Sequence, residues 1–234
     1  MPHWPSWIPG LAVWVYLASA ALIGSGVAII LEKKARTVAL VLGGILLVVL
    51  GLCHVPYQII ANPYIHHLGT WSDQFKVLAL SGGGFVVAGS FPDKKAKTGS
   101  RFSLIRLLET FIPVGGVFFS ITMITFGICH FLYVENVATL VPAWIPGHVF
   151  WTYFAAVALI GSGTAIILRI TINLVGILLG TMIFLWFVFL HIPRAIADPF
   201  VLKGNEVTSV FEALGFSGIA FVIAYQVRLR ERSE

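Results

Sequence analysis

WPSWIPGLAVWVYLASAALIGSGVAIIL, residues 4–31, and VPAWIPGHVFWTYFAAVALIGSGTAIIL, residues 141–168, are two versions of one segment, identical at 18 of 28 positions. Within the first, Leu11 to Leu31 carries no charge, and roughly 20 apolar residues suffice to cross a bilayer as a helix. A helix is the form that such a run takes in lipid, because every backbone N–H and C=O must then be satisfied inside the segment. The recurrence at an offset of 137 residues marks an internal duplication. At the same offset His54-Val55-Pro56 meets His191-Ile192-Pro193. At an offset of 136, Asn62-Pro63 meets Asp198-Pro199, and Phe75, Ser81, Gly82 and Phe85 meet Phe211, Ser217, Gly218 and Phe221.

Composition agrees with the bilayer as solvent. The 234-residue chain is 58% hydrophobic and 11% charged, against about 45–50% and about 25% in soluble domains, and its mean hydropathy is +0.94. The formal charge of +5 does not point to nucleic acid, since the basic residues sit in short loops without interleaved aromatic platforms. No cleavable leader is expected: the N-terminus has no basic region, and Lys33, Lys34 and Arg36 follow the first apolar run.

Seven spans are expected: Leu11–Leu31, Thr37 to about Val55, about Phe75 to Phe91, about Phe111 to Tyr133, Val149–Leu168, about Leu174 to Leu190, and about Thr208 to Val227. With seven spans, Lys33, Lys34, Arg36, Lys94, Lys95, Lys97, Arg101, Arg106, Arg169, Arg228, Arg230 and Arg232 all fall on one side. Only Lys76, Arg194 and Lys203 fall on the other. The excess of positive charge places the C-terminus in the cytoplasm and the N-terminus outside. Four spans separate equivalent helices, an even number, so the repeats are parallel and related by an axis along the membrane normal. The expected fold class is therefore all-α: a polytopic membrane protein made of two parallel four-helix repeats. Residues 1–99 form the first, with three spans, and residues 100–234 the second, with four. The first repeat lacks a counterpart of Phe111–Tyr133, and a start codon placed too late is the expected reason.

The stretch FGICHFLYVENVATLVPAWIPGHVFWTYFAAVALIGSG, Phe126 to Gly163, resembles the DoxX-like family of small bacterial membrane proteins. The likeness covers nearly all of the second repeat and three quarters of the first. It implies a four-helix bundle in the bacterial inner membrane. Through some members of the wider family, it also implies a link to quinone-dependent thiosulfate oxidation. The first repeat departs from the pattern at Leu11, where the second has His148.

The candidate site is a polar cluster on the outer face. His54, His66, His67, His130, His148 and His191, with His3, all lie at or near that side, joined by Arg194 and Asp198. Imidazole can bind metal or carry protons, but no helix shows H-x-x-x-H or E-x-x-H spacing, so no metal site is expected. Hydrogen bonding to a quinone head group is a second use for these histidines. Lys76 and Glu212 stand at equivalent positions with opposite charge. They are able to pair across the inter-repeat axis, although solvation at the helix ends is the simpler expectation. Cys53 and Cys129, each followed by histidine, are candidate redox cysteines, with a small buried thiol as the plainer reading.

Glycines and serines at Gly24-Ser25-Gly26, Gly161-Ser162-Gly163, Gly43-Gly44, Gly82-Gly83-Gly84 and Gly176-x-x-x-Gly180 predict close helix packing. Trp4, Trp7, Trp71 and Trp144 suit an interfacial aromatic belt, and Pro5, Pro9, Pro142 and Pro146 the loop beside it. The segment from Ser100 to Glu109 predicts a short helix on the cytoplasmic surface. With no complete catalytic constellation in sight, a scaffold or accessory subunit ranks first, working with lipid, a partner membrane subunit or a second copy. A quinone-linked redox subunit and a small-solute permease follow.

Overall fold

The computed structural model describes residues 10–92, 104–200 and 204–231, and within these every regular element is a helix. His3, Trp4, Pro5, Trp7, Pro9, Lys94, Lys95, Lys97, Ser100, Arg101, Lys203 and Arg232 lie outside the described residues. Side chains are described from Ala12 to Val227 within those ranges.

Helix α1 spans Leu11–Ile30 and α2 Ala35–Val49. A π-helical turn, Leu50–His54, carries α2 directly into α3, Val55–Ala61. A short 3-10 turn at Leu68–Trp71 precedes α4, Ser72–Ser90. After α5, Leu104–Glu109, and a 3-10 turn at Ile112–Val114 come α6, Gly115–Leu132, and α7, Val134–Ala138. Helix α8 is His148–Ile167 and α9 Ile172–Trp186. A second π turn, Phe187–His191, leads into α10, Ile192–Ala197, and α11 covers Asn205–Glu231.

Among the described residues, six helical stretches are long and apolar enough to cross a membrane: Ala12–Ile30, Ala35–Ala61, Leu104–Leu132, His148–Ile167, Ile172–Ala197 and Asn205–Val227. Large apolar side chains point outward along them, with Ile30 80% and Ile60 83% exposed. A water-soluble protein rarely tolerates so much contiguous apolar surface. The chain is a multi-pass membrane protein.

Helix α4 is long but less apolar, and the reason is its place in the fold. It packs on α2, α6 and α11, with Gln74, Ser81, Gly82, Gly83, Gly84 and Phe85 buried. A helix walled in by others need not present apolar side chains to lipid. Small residues serve it better, because they let neighbouring backbones approach. A Cβ on Gly84 would lie 2.8 Å from the Gly43 Cα, and one on Gly82 would lie 2.5 Å from the Gly115 carbonyl oxygen. The main core then gathers α4, α6, α8, α9 and α11 around Phe119, Met123, Leu179, Phe216 and Ala220. A smaller core joins α2 and α4 through Leu40 and Phe85, with Ile105 and Leu108 of α5 against it. Helix α5 therefore lies on the bundle by one face and leaves Leu104, Arg106 and Leu107 exposed.

Helices α2 and α9 continue, through π turns, past the ends expected at about Val55 and Leu190. Pro56 and Pro193 do not end them: each follows a π turn whose last residue is a histidine, His54 or His191. A proline ring clashes with the carbonyl one turn back, and widening the preceding turn by one residue relieves that clash without breaking the helix.

Local geometry recurs at the repeat offsets. Gly10 and Gly147 both hold positive φ, at 74° and 75°, ahead of α1 and α8. Non-glycine residues do the same at Glu32 and Arg169, and at Lys34 and Thr171. Ser81 Oγ donates to the Gly43 carbonyl and Ser217 Oγ to the Gly180 carbonyl, both at 2.8 Å. Arg36 Nη1 donates to the Ala88 carbonyl as Asn173 Nδ2 does to that of Ala224, at 3.2 Å each.

The two halves differ most at α1. Its counterpart α8 buries Thr152, Ala155, Ala156, Leu159, Gly163 and Ile166, chiefly against α6. A Cβ on Gly163 would meet the Ser120 carbonyl oxygen and Ile124 Cγ1 at 2.8 Å. The equivalent Gly26 has nothing within 4 Å, and none of the apolar window of α1 is buried, against 33% for α8.

Candidate functional site

Two polar sites lie at the end of the bundle that carries the π turns, one in each half. In the second half Arg194, on α10, makes a two-point ion pair with Glu206 at the start of α11: Nε to Oε2 at 3.0 Å and Nη2 to Oε1 at 2.7 Å. The fork geometry of guanidinium and carboxylate favours this arrangement over a single contact. His191 sits beside it, in the field of Glu206, Arg194 and Lys76, and its Nδ1 is buried without a hydrogen-bond partner.

Between the halves, Lys76 Nζ reaches Glu212 Oε2 at 3.0 Å and Asp73 Oδ1 at 3.6 Å. Solvation at helix ends is the simpler expectation from sequence, yet the side chains of Lys76 and Glu212 are only 18% and 17% exposed and pair with each other. The cause is direct packing of α4 on α11, where a Cβ on Gly83 would overlap Ile219. That approach turns two equivalent positions toward one axis.

In the first half the same place is neutral. Gln58 on α3, only 2% exposed, donates from Nε2 to Thr70 Oγ1 at 2.7 Å. Its Oε1 accepts from Asn62 Nδ2 at 3.0 Å and from Gln74 Nε2 at 3.4 Å. Thr70 and Glu206 are equivalent at the 136-residue offset, and the bonds they make align Gln58 with Arg194. Beside this network is a cavity of about 270 Å³, lined by His54, Tyr57, Gln58, Asn62, Thr70, Asp73 and Gln74, among others. Gln74 is 7% exposed, and its Oε1 has no partner. A second, shallower hollow of about 380 Å³ lies next to it, with His67, Tyr64 and Tyr133 on its walls. There the Gly69 N–H donates to Tyr133 Oη at 3.2 Å and ties the first half to the end of α6.

The expected outer-face cluster thus resolves into parts. Lys76 and Glu212 touch; Arg194 and His191 share a site; His54 faces the cavity of the other half. His130 is committed elsewhere, with Nδ1 2.7 Å from the Phe126 carbonyl and its ring stacked on Trp186. His148 opens α8 and its carbonyl accepts from Thr152. His66 and Asp198 are exposed. Cys53 is exposed and Cys129 partly buried, and both are free thiols. Among the described residues no group of three or more His, Cys, Asp and Glu side chains could hold a metal ion. Trp144 is 68% exposed, as an interfacial residue would be, but Trp71 turns inward and donates to the Ile65 carbonyl at 2.9 Å.

Gln58, Thr70, Gln74 and Glu206 were not legible as site residues. Glutamines in an apolar helix were one signal, and reading the repeat alignment through Thr70 and Glu206 was the other. No protein-family model, no curated protein and no solved structure matches this chain.

Proposed function

We propose that this chain is a DoxX-like protein of the bacterial inner membrane that serves as a non-catalytic accessory subunit, the open face of α1 receiving a further transmembrane helix. The protein has seven spans, α4 being the additional one, in two parallel repeats over residues 1–99 and 100–234. The N-terminus is outside and the C-terminus cytoplasmic, as the asymmetry of Lys and Arg requires.

The observation that carries this reading is the contrast between Gly26 and Gly163. In the second repeat, α6 and α8 interlock through small residues: Gly163 receives Ser120 and Ile124, and Gly127 receives Ala156 and Ile160. The first repeat keeps the matching surface on α1, with Ser19, Ile23 and Gly26 in the corresponding places, and none of the described residues beyond α1 lies within 4 Å of a Cβ on Gly26. Lipid offers no hydrophobic drive for helix association, so close packing at such notches is what holds membrane helices together. The partner helix runs antiparallel to α1 and carries a small residue opposite Ser19 and Ile23, as α6 carries Gly127. Among the described residues no contact singles out a quinone-linked redox role or a small-solute permease over this reading.

A lysine-flanked fluorescent peptide with the sequence of residues 115–132 tests it, titrated against the full-length protein in nanodiscs. Saturable binding is expected, lost when the peptide carries Gly127→Leu or the protein Gly26→Leu. No binding, or self-association of the protein through α1 instead, overturns the assignment.

A further inference from the structure

We infer that the cavity between α3 and α4 in the first half is a binding site for a small organic cation, a primary ammonium or guanidinium group, with Asp73 and Gln74 as its principal contacts. Gln74 supplies the first reason. Its Nε2 is taken up by the His54 carbonyl and by Gln58 Oε1, both at 3.4 Å. Rotating the amide would aim its NH₂ away from both acceptors, so the network sets Oε1 as the atom left over. A buried acceptor on a cavity wall without a donor calls for one from a ligand.

The charge of that ligand follows from Asp73 on the rim. Its side chain is 63% exposed, and Lys76, its neighbour, stands closer to Glu212 (3.0 Å) than to Asp73 (3.6 Å). Two carboxylates share one ammonium, which leaves Asp73 incompletely neutralised and the rim negative. Tyr57 and His54 complete the wall with further polar groups. The other half shows the chemistry that such a place holds. There Arg194 fills the equivalent position with a guanidinium clamped by Glu206, where the first half has the shorter Gln58 and Thr70 and an opening of about 270 Å³. An external cation would take the role that Arg194 plays internally. Its source is either a free amine or the ethanolamine head group of a lipid.

Calorimetric titration of the full-length protein in phosphatidylglycerol nanodiscs, at constant ionic strength, tests the site with ethylammonium, methylguanidinium and the neutral acetamide. The cations are expected to bind saturably and acetamide about tenfold more weakly or not at all, the margin of a charge-assisted hydrogen bond. Asp73→Asn and Gln74→Met should each weaken ethylammonium about tenfold. Asp73 is exposed enough that its substitution leaves folding intact. The pair Gln58→Arg with Thr70→Glu, which recreates the ion pair of the other half, should abolish binding while the helical circular dichroism is kept. Acetamide binding as tightly as ethylammonium, or binding indifferent to Asp73→Asn, overturns the proposal. Repeating the titration with phosphatidylethanolamine in the disc assigns the source: weakened binding by competition identifies the lipid head group, and unchanged binding a free amine.

Discussion

Gln58 and Thr70 in the first half stand where Arg194 and Glu206 stand in the second, and the two pairs have the same shortest separation, 2.7 Å, although Thr70 lies in a 3-10 turn and Glu206 in α11. The neutral pair is compact and has a cavity beside it; the charged pair is longer and joined at two points. The frame beneath them is shared, down to the π turns, the serine bonds and the positive-φ turns. Equivalent positions of the two halves therefore share what packing demands and differ at their polar ends. A second difference runs the same way. Helix α8 is locked to α6, while α1 shows its matching face to the outside. Among the described residues, α8 is covered by contacts within the chain, while the first half has an open face on α1 and a cavity at its polar end.

Arg194→Ala should have the largest effect on stability, since it strands Glu206, whose side chain is 11% exposed. Breaking a buried pair by removing one partner costs about 3–5 kcal/mol, and the partial exposure of Arg194, 30%, puts the loss near the lower figure. Gln58→Ala should lose less, about 1–2 kcal/mol, because the three bonds it removes are all between neutral groups. Reversible unfolding in mixed detergent compares them, and equal losses would mean that charge is irrelevant to the difference between the halves.

Gly163→Leu comes next, at about 1–3 kcal/mol, because the new side chain must push the α6 backbone away. Gly26→Leu, facing open space, should leave the stability of the isolated protein within about 0.5 kcal/mol of the parent. The same unfolding assay reads both, and a loss at Gly26 as large as at Gly163 would show that α1 is covered in the isolated protein.

Small gains, rather than losses, are expected at the turns. Arg169 holds φ at 59°, a region that costs a side-chain-bearing residue about 1–2 kcal/mol, offset in part by the flexibility that glycine adds to the unfolded chain. Arg169→Gly should gain about 0.5–1 kcal/mol, and Glu32→Gly, at φ 54°, the same. Unequal gains would separate two turns that are now geometrically alike.

Much of the architecture could be read from one dimension. Charge-free runs such as Leu11–Leu31 mark helices in lipid whatever their neighbours are, and the match of residues 4–31 with 141–168 lets each segment be read against the other. The pairing of polar groups was less accessible. The expected spans stop at about Val55 and Leu190, yet a widened turn absorbs Pro56 and Pro193 and sets His54 and His191 inside continuous helices. Helix α4 reads as an ordinary span, although its glycines and glutamine are those of a helix enclosed on several sides.

Hydropathy and internal repetition are properties of residues along the chain, so the helical class, the membrane as solvent and the positions of most spans needed no tertiary information. Which groups meet depends on how helices cross. The Lys76–Glu212 pair, the Arg194–Glu206 clamp and the empty face of Gly26 arise from approaches between segments far apart in sequence. Those approaches are set by small-residue notches such as Gly83 against Ile219, whose partners no single segment reveals.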